Sequence, residues 1–147
     1  MQQILRDEVE ALYRLWQVAA RGSWAPRPDA LDVAADHPDL APYHYRVAVV
    51  DNGRDFRYDH VGAHLIAHIG VDFTGRRVSA FMTDYEQPGN ADGYAAALRT
   101  GKPTVSIHDL RNAAGDYVIY ERLLCPLSSD GRRVDALFGA MAFWKPD

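Results

Sequence analysis

The chain has 147 residues, 48% hydrophobic and 24% charged, which suits one soluble domain burying roughly two-thirds of its unfolded surface. Its net charge of −4, with no basic stripe to offset it, excludes a general nucleic-acid binder. A single cysteine excludes an internal disulfide and a cysteine metal cluster; with no signal-peptide pattern and no run of about 20 apolar residues, a cytoplasmic, non-membrane protein is expected.

Three segments are expected: an N-terminal helix over 1–22, a Pro-rich connection over 23–44 and the main domain over 45–147. In residues 3–20, Leu5, Val9, Leu12, Trp16 and Ala19 recur on one helical stripe, and Gly22 is a natural stop. The stripe packs on its own domain in the simpler reading and on a second copy in the sharper one. Pro26, Pro28, Pro38 and Pro42 then argue against long regular structure, leaving room for a short helical turn around Asp29–Ala34.

Tyr45 to Gly62 reads as a hairpin about Asn52-Gly53, a strong short-range signal. Pairing outward from that turn sets Val49 against Phe56, Val47 against Tyr58 and Tyr45 against His60. The other face pairs Val50 with Asp55, Ala48 with Arg57 and Arg46 with Asp59. Ala63–Ile69 suits a short helix ended by Gly70, and Asp72-Phe-Thr-Gly75 a turn. Asp84–Gly93 reads as loop. Asp92 is placed to cap a helix over Gly93–Thr100, closed by Gly101. Thr104–Leu110 is the next strand, with Val105 and Ile107 inward.

The last stretch, Tyr117 to Trp144, has two apolar runs about Asp130-Gly131. A two-residue loop there sets Leu127 opposite Val134, Leu123 opposite Phe138 and Glu121 opposite Ala140. Because strand side chains alternate, odd positions before the turn share a face with even positions after it. That face is apolar except for Glu121, and it is expected to look toward the helices. Strands interrupted by one helical block indicate an antiparallel α+β sheet.

The motifs Arg57-Tyr-Asp-His-Val-Gly62, Gly70-Val-Asp-Phe-Thr-Gly75-Arg76 and the segment Tyr120–Gly139 together resemble the short, stand-alone bacterial PAS-like proteins. The resemblance runs from Leu12 to Gly139, and the last segment is its most specific part. It implies a PAS-like five-stranded antiparallel sheet, a helical crossover on one face with a small cavity beneath it, and an N-terminal amphipathic helix. PAS domains sense small molecules, redox state or light, or mediate dimerisation. With no kinase, cyclase or DNA-binding segment in this sequence, output is expected to pass through a partner or a homodimer.

Candidate ligand-lining residues are Tyr58, His60, His64, Glu121 and Phe138. A carboxylate on an apolar face is costly unless hydrogen-bonded. Glu121 therefore contacts a polar ligand, or it meets a histidine, an arginine or a helix N-terminus as a purely structural group. His60, His64 and His68 are spaced by four, so His64 and His68 would share a helical face and could ligate a metal. Ordinary core or surface histidines are the weightier reading, and haem, held by a histidine in some PAS domains, is the resemblance's variant of the first. No metal site is assigned, and the cofactor is left unassigned. Arg122 and Asp135 fit a structural ion pair. Cys125 fits a small core residue. Arg76-Arg77 and Arg132-Arg133 fit solvated turn charges. No nucleophile, phosphate loop or paired acid and base is legible, so a non-enzymatic sensory or regulatory domain is expected, with a ligand-free interaction module as the alternative.

Overall fold

The computed structural model describes residues 2–85 and 88–146. Glu86 and Gln87, within the loop expected over Asp84–Gly93, lie outside the described residues. Helix α1 (Asp7–Ala20) is followed by the connection, which holds a short helix α2 (Val33–Asp36). Strands β1 (His44–Val50) and β2 (Asp55–Val61) form the first hairpin. Helices α3 (Ala63–Ile69), α4 (Val78–Tyr85) and α5 (Asp92–Thr100) make the crossover. Strands β3 (Thr104–Arg111), β4 (Tyr117–Leu127) and β5 (Ala136–Trp144) complete one antiparallel sheet in the order β2-β1-β5-β4-β3. Among the described residues no helix is long and apolar enough to cross a membrane.

Both faces of this sheet are covered, which explains why β4 and β5 read as almost continuous apolar runs. Helices α3–α5 cover one face, where Tyr45, Val47, Tyr58, Tyr120, Leu124 and Met141 meet Leu65, Phe73, Phe81 and Tyr94. On the other face, Leu123, Cys125, Phe138 and Ala140 meet Val9, Leu12 and Trp16 of α1 and Val33 of the connection. The parity expected for the last hairpin is therefore correct, and Leu123 and Phe138 are fully buried. The element above them differs: α1 covers that face, and the crossover covers its opposite. The α1 stripe is spent on its own sheet, except that Leu5 precedes the helix and is 58% exposed.

Two registers differ from the expectation for local reasons. In the first hairpin Val47↔Tyr58 and Val49↔Phe56 pair as expected, with Asn52 and Gly53 both at positive φ. A slip between Arg46 and Val47 then pairs Arg46 with His60 and Tyr45 with Val61. Such a bulge reverses the facing of what lies beyond it. His60 thereby leaves the Tyr58 face, and Asp59 bonds Arg57 at 2.7 Å instead of Arg46. In the last hairpin Leu127 pairs with Ala136 and Cys125 with Phe138, two residues along from the expected register. The cause is a wider loop: Asp130 Oδ1 accepts from the Arg132 and Arg133 N–H groups, and Ser128 Oγ accepts from that of Gly131.

Helix α3 and its stop at Gly70 stand as expected, as does the Asp72–Gly75 turn, where Asp72 Oδ1 accepts from Thr74. Helix α4 was not legible, because Val78, Ser79, Phe81 and Thr83 are poor helix formers; it forms because Val78, Phe81 and Met82 bury against the sheet. Helix α5 starts one residue early and has no side-chain cap, so Asp92 is not its cap. Val105 is buried, but Ile107, expected inward, is 42% exposed because β3 is an edge strand whose α1 side is only partly covered.

Candidate functional site

The five residues singled out from sequence do not line one chamber. Tyr58 is buried on the crossover face, its ring edge-on to Phe73 and Phe81. Phe138, Glu121 and His60 lie on the α1 face. His64 sits on α3 beyond the end of β1.

On the α1 face, Glu121 projects from the middle of β4 and is fully buried. Its carboxylate accepts the backbone N–H of Leu5 at 2.7 Å and of Arg6 at 2.9 Å. These N–H groups lie at the start of α1, where a helix leaves donors unsatisfied and carries partial positive charge. Glu121 is thus the helix-terminus partner named among its structural alternatives. Arg6 lies over the Trp144 ring at 3.8 Å, and Trp16 Nε1 donates to Pro126 O at 2.9 Å, so α1 is pinned along its length.

Nearby, His44 packs on Phe138 and faces His60. Its Nδ1–H donates to Gly139 O at 2.8 Å, leaving Nε2 to accept from Arg46 Nε. Burial, then the Arg46 charge, holds the His44 pKa down at about 3, so the ring is neutral. Burial and Arg46 lower that of His60 as well. Arg46 spends its other nitrogens on the carbonyls of Pro28 and Leu31, tying down the connection.

His64 has a backbone role. Strand β1 begins at His44, opposite Ala140, so beyond that point β5 has no strand beside it on this edge. His64 Nε2 accepts the Phe143 N–H at 3.0 Å and so stands in for the missing strand. Only a neutral ring offers that lone pair. Burial, then His68, lowers its pKa to about 4. The His64 and His68 rings lie 4.2 Å apart, while His60 lies with His44. Among the described residues no group of three His, Cys, Asp or Glu is placed to hold a metal.

The crossover face holds the polar cluster that sequence reasoning missed. Arg122 on β4 is fully buried and looks toward α5, its Cζ 4.7 Å from the Tyr94 ring centre. Its Nη2 donates to Asn90 O at 2.7 Å and lies 3.3 Å from His108 Nε2. Ser106 Oγ is 2.7 Å from the same nitrogen, and His108 Nδ1 is 3.1 Å from Asn90 Oδ1. These partners fit a neutral ring protonated on Nδ1; burial, then Arg122, brings the His108 pKa down to about 4. Tyr94 shares a 2.8 Å hydroxyl contact with Tyr45, whose own pKa burial pushes well up. Tyr45 lies flat on Gly139, where a Cβ would come within 2.4 Å of its ring. The ion pair expected between Arg122 and Asp135 does not form: Asp135 Oδ2 accepts from the Ser129 N–H, far along the sheet. Cys125 lies under α1, its thiol pKa raised by burial, as a core residue should be.

No family model matches the sequence, and no curated protein matches it. Solved structures match in fold. The N-terminal domain of a diguanylate cyclase with a PAS/PAC sensor from Marinobacter aquaeolei superposes with a TM-score of 0.56 at 14% identity, covering 67% of this chain and 91% of that one. A light-oxygen-voltage domain studied with a flavin analogue gives 0.57 at 13%, covering 78% and 90%. The LOV protein of Rhodobacter sphaeroides gives 0.56 at 10%, covering 91% and 67%. The fold of this chain is that of the PAS and LOV domains.

Proposed function

We propose a non-enzymatic sensory or regulatory domain that takes a small molecule between the sheet and the α3–α5 crossover and signals through a partner protein or a second copy. The observation that supports this reading is the buried Arg122 guanidinium. It sits on a central strand, under the segment that would have to move, and holds that segment through the Asn90 carbonyl. A guanidinium with a fixed neighbourhood of Tyr94, His108 and Tyr45 suits a ligand bearing a carboxylate, phosphate or carbonyl. The interior is otherwise filled by Tyr58, Phe73 and Phe81, so entry requires the 88–100 segment to shift. Such a ligand favours one packing of the crossover over another, and the partner reads the change in population. Of the residues proposed from sequence, Tyr58 belongs to this chamber.

The test is mass spectrometry of the purified protein under native and denaturing conditions, with and without Arg122→Met. A mass lost on denaturation, absent from the variant, is the expected result. Equal masses, with no thermal shift from a panel of small carboxylates and phosphates, would overturn the reading. The filled interior favours a second reading, a ligand-free interaction or dimerisation module. Val18 on the outer face of α1 is 73% exposed and offers a contact. Light scattering at high concentration on the protein and on Val18→Asp decides it: a monomer in both removes the dimer form.

A further inference from the structure

We infer a second ligand site at the far end of the sheet, in the groove between the two hairpin turns and the C-terminal end of α5, which accepts a flat organic anion. The groove has a volume of about 930 Å³, at the upper end of what small-molecule sites occupy. Its apolar wall is Trp24 with Leu98, Val49 and Val134. Trp24 is fixed in place: its Nε1 donates to Gly131 O at 3.0 Å, and its ring lies so close to Gly101 that a Cβ there would meet it at 3.4 Å. It is nevertheless 40% exposed, an aromatic face held open to solvent.

Charge decides what the groove takes. Arg99, Arg132 and Arg133 line it against Asp51 and Asp135, three cations to two anions. Asp51 is paired with Arg77. Asp135 Oδ2 accepts the Ser129 N–H, and its Oδ1 is shut off from solvent. Arg133 is held only loosely by Asp130, at 3.7 Å, while Arg99 and Arg132 enter no ion pair among the described residues. The groove therefore presents cations on a protein whose net charge is −4. An aromatic carboxylate satisfies both halves, its ring on Trp24 and its charge between Arg99 and Arg132. This site shares helix α5 with the Arg122 chamber, but Asn90, Tyr94 and His108 around Arg122 do not line it.

The experiment is a two-dimensional amide NMR titration of the full chain with 2-naphthoate and with the uncharged 2-naphthamide. Saturable shifts are expected at residues 51–53, 99–101 and 131–134 and at the Trp24 indole. Binding of the amide should be roughly tenfold weaker, as should binding of naphthoate to the Arg99→Gln/Arg132→Gln variant. Both arginines are exposed, and an unchanged spectrum elsewhere confirms that the variant is folded. No saturable shift, equal affinity for the two compounds, undiminished binding to the variant, or shifts confined to Asn90, Tyr94 and Arg122 would each overturn the assignment.

Discussion

Replacing Glu121 with glutamine tests what holds α1 to the sheet. The carboxylate accepts two N–H groups, at 2.7 and 2.9 Å, in a fully buried position. Glutamine keeps the shape but has one amide oxygen, so its NH2 must face one of the two donors. The loss is one charge-assisted hydrogen bond, about 1.5–3 kcal/mol. Removing the negative charge from the start of α1 adds ~0.5–1 kcal/mol. The sum is about 3 kcal/mol, which for a chain of this size lowers the melting temperature by roughly 6–12 °C. The damage should also be local first, because α1 touches the sheet on one side only. Amide exchange in residues 8–20 should accelerate before that in β4 and β5. Calorimetry and hydrogen exchange on the wild type and E121Q check both. A melting shift under about 2 °C with α1 protection unchanged would refute the reasoning.

Three further outcomes are expected. His44 is neutral in the fold, with a pKa of about 3 against an ordinary 6.5, so the unfolded chain binds its proton first. Its contribution is complete above pH 6.5 and is lost toward pH 3 at about 1.4 kcal/mol per pH unit; urea midpoints at pH 7, 6 and 5 should fall more steeply than in His44→Asn, and equal slopes would remove the claim. Gly139→Ala places a methyl against the Tyr45 ring and should cost about 3 kcal/mol or more, partly restored by adding Tyr45→Leu; urea unfolding of the two variants measures both. Arg122→Met should cost about 3 kcal/mol, from the charged hydrogen bond to Asn90 and the contact with Tyr94, and should speed exchange in residues 88–100; unchanged protection there would show that the guanidinium does not hold the crossover.

Much of the fold was legible because it is set by neighbours along the chain. Asn52-Gly53 fixes the pairing of Val47 with Tyr58 and Val49 with Phe56, since a tight turn leaves the strands little choice. Alternation puts Leu123, Glu121 and Phe138 on one face whichever even-length loop joins β4 to β5. The α1 stripe and the stops at Gly70 and Gly101 are likewise local, as are the motifs that resemble PAS proteins. The candidate site was much less legible. A one-residue slip beside Arg46 moves His60 to the other face, and no pattern in the strand announces it.

What the amino-acid order determined by itself was therefore the strands, most helices, the side-chain parity and the fold class they imply. What only the tertiary structure decided was which helix covers which face. An apolar face accepts any apolar partner, because hydrophobic burial is non-directional. Here α1 takes the face assigned to the crossover, and Glu121 becomes the anchor of α1. The same assignment buries Arg122, which read as half of an ion pair with Asp135, beneath α5. Its partners come from two stretches, Asn90 and Tyr94 from the 88–100 segment and His108 from β3, which meet Arg122 only when the crossover docks.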